Sequence, residues 1–198
     1  MARILLINNA EPGIYDFARP IERIIKEFGF TYLFIEYSEC QAFDFIEFDG
    51  VILTGSPQGD DIVEHHLPYF QWIKDFNKPI FGICAGHHIV GALYGSEILR
   101  SVEPESGICE VEIIKDDPIL NHLPRIIKVK QMHNDSVTLP GSFELLATSK
   151  TCRNQLMKHK NKPLYTSQFH PEFYNSDLIQ NFLAICDWSK HSGSNKCK

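Results

Sequence analysis

Cys84 stands between two glycines, each two residues away, in Gly82-Ile83-Cys84-Ala85-Gly86. The apolar run Pro79-Ile80-Phe81 leads into this segment and a helical pattern follows it at once. That is the pattern of a nucleophile elbow, a strand-to-helix turn that strains its middle residue while the glycines admit a close backbone approach. A thiol at a helix N-terminus is biased towards thiolate by the unpaired N–H groups and the helix dipole. A free cysteine is more often a small buried apolar filler, so the other groups such chemistry needs must decide. Gln168-Phe169-His170-Pro171-Glu172 ends a strand-like run rich in Tyr165, Thr166 and Phe169. Residues two apart in an extended segment project to the same side, so Glu172 can hold the tautomer of His170 while the imidazole faces Cys84. A thiol, a base and a group that orients the base make up nucleophilic acyl-transfer chemistry. Such chemistry also needs donors for an oxyanion. Thr54-Gly55-Ser56-Pro57, after the strand-like Val51-Ile52-Leu53, is by composition only a turn. Its place just before the strand of Cys84, on the carboxyl edge where open sheets carry their sites, suits it to that task. The expected donors are the N–H groups of Ser56 and Ala85.

The elements that would position these groups follow from periodicity. Strands are expected over 2–8, 31–37, 51–54 and 79–83, alternating with helical patterns, which argues for βαβ units and a parallel sheet. Phe17, Ile21, Ile24, Ile25 and Phe28 recur at helical spacing, with Asp16 as the expected cap and Gly29 closing the end. Residues 66–76 and 87–94 supply further helices. Alternation then changes to period two over 108–114, with further short strands expected over 126–130, 144–148, 153–158 and 164–168, so the second half adds antiparallel pieces. A last helix is expected over 176–188. The fold class is therefore α/β, a single-domain open and mainly parallel sheet flanked by helices, with residues 1–190 as the domain and the polar 191–198 as a disordered tail.

Composition narrows the function classes. At 198 residues the chain suits one α/β domain. Lys and Arg total 19 against 25 Asp and Glu, a net charge of −6 with no basic stripe, which disfavours nucleic acid as a ligand. The N-terminal apolar stretch Ile4-Leu5-Leu6-Ile7 is too short for a signal or a membrane span and reads as a buried strand. Six cysteines without C-x-x-C spacing suggest reduced thiols in a cytoplasm, and in that setting the sequon Asn134-Asp135-Ser136 is accidental. His65, His66, His122, His159 and His191 sit in polar segments and are expected to be exposed. No metal-ligand spacing occurs, so neither metal nor cofactor is expected.

Together, the elbow with its following His87 and His88, the TGSP turn, Met132-His133-Asn134-Asp135-Ser136-Val137 and QFHPE resemble, in order and separation, the class I glutamine amidotransferases. Within that family the resemblance is nearest to the stand-alone glutaminase subunits of GMP synthase, and it covers nearly the whole chain. It implies a flavodoxin-like amidotransferase fold and hydrolysis of L-glutamine to glutamate and ammonia through a Cys84-His170-Glu172 triad and a thioester, with Ser56 and Ala85 as oxyanion donors. It further implies that Gly55, His88, Met132, His133 and Asp135 hold the substrate, that Glu105-Ser106-Gly107 lines its pocket, and that a separate ATP-dependent synthetase takes the ammonia. Two positions depart from the family. His88 replaces a glutamine whose amide grips the substrate, and an imidazole offers fewer simultaneous donors and acceptors and can become cationic. Ser56 replaces a second glycine, which matters little if only its N–H is used. His88 keeps open an alternative, a free-standing hydrolase of other γ-glutamyl amides or peptides. A third reading, a non-enzymatic binding protein, is opposed by the presence of all three triad residue types. Met132, Tyr69, Phe70 and Trp72 are candidates for a partner interface, although aromatic residues at helical spacing are more often core.

Overall fold

The structure, a computed structural model, describes residues 1–42 and 44–193. Its strands are β1 (Arg3–Asn8), β2 (Thr31–Glu36), β3 (Gly50–Leu53), β4 (Ile80–Ile83), β5 (Ile98–Leu99), β6 (Glu105–Ile113), β7 (Ile126–His133), β8 (Ser136–Val137), β9 (Phe143–Thr148), β10 (Leu156–His159) and β11 (Leu164–Ser167). The helices are α1 (Ala18–Glu27), α2 (Val63–His66), α3 (Ala85–Leu93) and α4 (Asp177–Gly193), so α4 reaches into the segment expected as a tail, while 194–198 lie outside the described residues. Nine strands form one sheet in the order β2-β1-β3-β4-β11-β10-β9-β6-β7, and β5 pairs with β8 separately. The pairings from β2 across to β11 are parallel, and those from β11 out to β7 are antiparallel. The expected parallel core with antiparallel additions is the observed sheet.

The inner parallel strands β1, β3, β4 and β11 are buried on both faces, whereas edge strand β2 is partly exposed, and their alternation divides the core in two. Ile4, Leu6, Ile52, Phe81 and Ile83 face α1 and α4, where Ile21, Ile25, Phe182 and Leu183 cover them. Leu5, Ile7, Val51, Leu53 and Ile80 face the other way, against Ile89 and Val90 of α3 and Phe70 and Ile73. Continuous apolar runs in short strands are what a doubly covered parallel sheet requires. The outer antiparallel strands β6 and β7 are covered on one side only. Val111, Ile113, Ile127 and Val129 are buried, whereas Ile108 and Ile126 on the opposite face are exposed.

Several local expectations are corrected. Residues 67–74 form a 3₁₀ helix and not an α-helix. Leu67, Phe70, Ile73 and Phe76 are spaced by three, which aligns them on one face of a helix with three residues per turn. Phe70 is fully buried there, so it cannot meet a partner. Asp16 does not cap α1: Phe17 occupies that position without a side-chain cap bond. Gly29 does close the helix, with φ of 76° and its N–H on the Lys26 carbonyl. Of the segment expected as a strand over 153–158 only the part in β10, from Leu156 on, is strand; Asn154 and Gln155 before it make buried side-chain hydrogen bonds, and the pairing with β9 shifts register between Leu156 and Met157. His66 and His159 are buried, not exposed. Tyr37 stacks on the His66 ring at 3.8 Å between centroids, and Tyr94 and Phe143 flank His159.

Gly50, at the start of β3, faces the Cys186 sulfur of α4 so closely that a Cβ there would overlap it. Gly50→Ala is expected to destabilise the fold by about 1 to 3 kcal/mol through overpacking. In a Cys186→Ala background most of that penalty should vanish, as read by a double-mutant cycle in urea. An equal penalty in both backgrounds would contradict this packing.

Candidate active site

Three neighbouring parallel strands, β3, β4 and β11, end at the same edge of the sheet, and each releases one part of the site. The turn Thr54–Ser56 follows β3, Cys84 follows β4, and His170 stands shortly after β11. The Cys84 N–H donates to the Ser167 carbonyl at 2.8 Å, which ties the end of β4 to the end of β11. Cys84 has φ of 49° and ψ of −98°, a strained conformation for a residue with a side chain. The glycines around it are required by contact. A Cβ on Gly82 would lie 2.7 Å from the Gly86 carbonyl oxygen, and one on Gly86 would lie 2.8 Å from the Leu53 Cβ. The first turn of α3 therefore rests directly on β3 and β4. Ala85, first residue of that helix, has an N–H that no helical carbonyl can reach.

His170 is 1% exposed and is fixed from three sides. Its Nδ1 is 2.7 Å from Glu172 Oε1, Phe17 stacks on its face at 4.9 Å, and a Cβ on Gly55 would lie only 2.8 Å from its Cε1. Phe173 adds a tilted contact at 5.8 Å. The backbone N–H of His170 donates to the Lys130 carbonyl at 2.9 Å, which brings the end of β7 to the site. Nε2 of His170 is buried and, with Nδ1 taken by Glu172, is the ring nitrogen left for the sulfur. Burial alone would raise the Cys84 thiol pKa, but the charge and hydrogen bonding of His170, and then His88, outweigh it and bring it down. Burial likewise opposes charge on His170, and the Glu172 carboxylate followed by Cys84 overcomes this, raising the imidazole to about 10. Both shifts favour a thiolate beside an imidazolium.

The turn after β3 is held from behind by a buried polar chain. Asn9, following β1, donates its N–H to Thr54 Oγ1 at 3.0 Å and its side-chain amide to the Thr54 carbonyl at 2.6 Å. His66 Nε2 lies 3.0 Å from the Asn9 carbonyl, and burial lowers its pKa to about 4, so the neutral ring donates there. These anchors fix the peptide that presents Ser56.

A cavity of about 480 Å³ opens above Cys84. Ser56, His88, Met132, His133 and Asp135, all singled out in the sequence, line it with Cys84, and Phe17, Gln58, Asp61 and Glu105 are among its other wall residues. Gly55, Ala85, His170 and Glu172 lie outside this lining, with Gly55 pressed against the His170 ring. Some of the substrate-holding candidates are already engaged. His88 Nε2 is 2.7 Å from Gln168 Oε1. The Asp135 carboxylate accepts from the Ser101 N–H at 2.8 Å and lies 3.5 Å from Arg100, which also reaches Asp61 at 3.4 Å across the rim. Phe17, Asn9 and Gln168 were missed as site residues. Phe17 reads as a core position of α1 by spacing, and only the QFHPE context could have flagged Gln168.

Because His170 lowers the Cys84 pKa, alkylation of Cys84 by iodoacetamide should persist to lower pH, with a shallower fall through neutral pH, than that of the other thiols. Cys40, Cys109, Cys152 and Cys186, whose thiols burial pushes up, should lose reactivity about tenfold per pH unit below their pKa. Peptide mapping after timed labelling separates them. His170→Ala should give Cys84 the steep profile, and a steep profile in the unsubstituted protein would contradict the ion pair.

No helix among the described residues is long and apolar enough to cross a membrane, and the cysteines described are unpaired thiols. Comparison with known proteins places this site in context. The family described as glutamine amidotransferase class-I matches residues 14–186. The glutamine-hydrolysing GMP synthase subunit of Pyrococcus furiosus is 38% identical over 148 residues, covering 69% of this chain and 75% of the relative. The protein of the same description from Thermoplasma acidophilum is 32% identical over 170 residues, covering 83% and 84%. Among solved structures, a Thermoplasma acidophilum protein provisionally assigned as a GMP synthase subunit superimposes with a TM-score of 0.89 at 29% identity, covering 98% of both chains. A Thermotoga maritima glutamine amidotransferase shares the fold, with a TM-score of 0.71 at 20% identity over 96% of this chain and 90% of its own. The chain belongs to the class I glutamine amidotransferase family.

Proposed function

We propose that this protein hydrolyses L-glutamine to glutamate and ammonia and delivers the ammonia to a separate ATP-dependent synthetase that makes GMP. The observation that carries the reading is the buried Cys84–His170–Glu172 arrangement, of which Cys84 opens on a cavity with polar walls. The descriptions of the relatives supply the acceptor reaction.

In this mechanism the Cys84 thiolate attacks the side-chain amide carbon of glutamine. Negative charge moves to the carbonyl oxygen, which the N–H groups of Ser56 and Ala85 receive; such donors act strongly because they are already oriented in a site that excludes water. His170 gives its Nε2 proton to the amide nitrogen, the C–N bond breaks, and ammonia leaves a glutamyl thioester on Cys84. The now neutral His170 takes a proton from water as the water attacks the thioester, and collapse of the second tetrahedral species releases glutamate and restores thiolate and imidazolium. Glu172 keeps Nδ1 protonated and stabilises the cationic ring in both steps. Met132, His133, Asp135 and His88 surround the amino-acid end of the substrate.

His88 favours one second reading. Its ring is already paired with Gln168, so it holds the substrate less flexibly than a free carboxamide, and a γ-glutamyl compound with a substituted amide could be preferred. Comparing kcat/KM for glutamine and for γ-glutamyl-methylamide distinguishes the two, and a higher value for the substituted amide would shift the assignment.

Cys84→Ala is expected to abolish glutamate release in a coupled assay, with the fold retained. His170→Asn should lower kcat by about a thousandfold or more. Glu172→Gln should lower it by about a hundredfold or more while changing KM little. Turnover by Cys84→Ala comparable to the parent would overturn the nucleophile assignment, and near-parental activity of Glu172→Gln would remove its orienting role.

A further inference from the structure

Glu105 at the start of β6 and His133 at the end of β7 face each other as register partners, and Cys152 reaches them from the turn between β9 and β10. All three are buried, and their ligating atoms lie within 4.8 Å of one another. The hydrogen bonds around them pose an electrostatic problem. His133 Nδ1 is 3.0 Å from the Asp135 carbonyl. A carbonyl only accepts, so this nitrogen carries the proton. In a neutral ring Nε2 is then a bare lone pair, and it points at Glu105 Oε2 at 3.3 Å. That carboxylate accepts from Ser149 Oγ at 2.6 Å and from the Gln155 side chain, and offers nothing in return. A positive charge belongs between these two acceptors, either a proton on Nε2, which makes an imidazolium–carboxylate pair, or a metal cation.

We propose that Glu105, His133 and Cys152 bind a zinc-like divalent cation in the wall of the active-site cavity. Imidazole, thiolate and carboxylate suit zinc, and the two anionic ligands neutralise its charge. Tetrahedral zinc places such ligands about 3.3 to 3.8 Å apart, so side-chain shifts of about 1 Å close the site. The outer shell is already built: His133 donates to a backbone carbonyl, Ser149 and Gln155 donate to Glu105, and Gln131 donates to Gln155 Oε1 at 2.8 Å. Such partners orient metal ligands and fix their tautomers. Binding displaces the Cys152 thiol proton to solvent. Since Glu105 and His133 line the cavity, the fourth position faces it, open to water. The cation would therefore withdraw two wall residues from the substrate, a regulatory consequence that rests on the glutaminase reading.

The test is cobalt titration of the full chain carrying Cys84→Ala, under a thiol-free reductant. One equivalent should produce the visible bands of tetrahedral cobalt with a near-ultraviolet thiolate-to-cobalt band, both removed by zinc. Adding Cys152→Ser, which preserves shape, should abolish the charge-transfer band and weaken binding at least about tenfold. No tetrahedral spectrum, or one unchanged by Cys152→Ser, would overturn the proposal. In the unsubstituted protein, the His133 ring ¹⁵N shifts should change on adding equimolar zinc, and an Nε2–H that survives zinc would also overturn it. None of these readouts depends on glutamine turnover.

Discussion

The backbone at Cys84 is the constraint on which the rest of the site depends. A side-chain-bearing residue at φ of 49° costs about 1 to 3 kcal/mol, and it persists because the surroundings leave no relaxed alternative. Its N–H is bonded to Ser167, and the following turn of α3 lies against Gly82 and Leu53. The strain holds the sulfur at the sheet edge where β3 and β11 also end. Parallel neighbours pair in register, so the spacing between the turn after β3, the thiol and the imidazole is set by the sheet edge.

Burial makes that placement chemically useful. Separating charge in a nearly closed site is expensive unless the charges are paired, and here Glu172, His170 and Cys84 form a line in which each group stabilises the next. Phe17 and Gly55 close on the imidazole from the faces, which limits its rotation and excludes water. Asn9, Thr54 and neutral His66 perform the comparable task for the turn after β3 without adding charge. Placing the turn after β3 on an uncharged anchor keeps its orientation independent of the proton movements at His170.

What could be read from the chain beforehand follows the range of the interactions involved. The elbow is local, since glycine spacing, a strand and a helix within a dozen or so residues define it, and the alternation of apolar runs was enough for the α/β class. Adjacency of β4 to β11 depends on pairing between distant segments, so the meeting of Cys84 with His170 rested on motif order. Spacing of three at Leu67, Phe70, Ile73 and Phe76 could have been recognised as a 3₁₀ period, but such runs are uncommon at this length. His66 looked exposed because its neighbours in sequence are polar, whereas Tyr37 and Asn9, which bury it, come from other elements. Glu105 reads as part of a pocket segment, yet its bonds to Ser149, Gln155 and His133 join two strands and the β9–β10 connection and have no sequence signature.

The account stands or falls on Cys84 attacking the side-chain carbonyl carbon of glutamine. The most direct measurement is intact mass of the protein after exposure to a glutamine analogue with an electrophilic group at the γ-amide position. The account predicts one adduct, absent in Cys84→Ala and suppressed by excess glutamine. An adduct on another residue, or one at Cys84 that glutamine does not suppress, would contradict it.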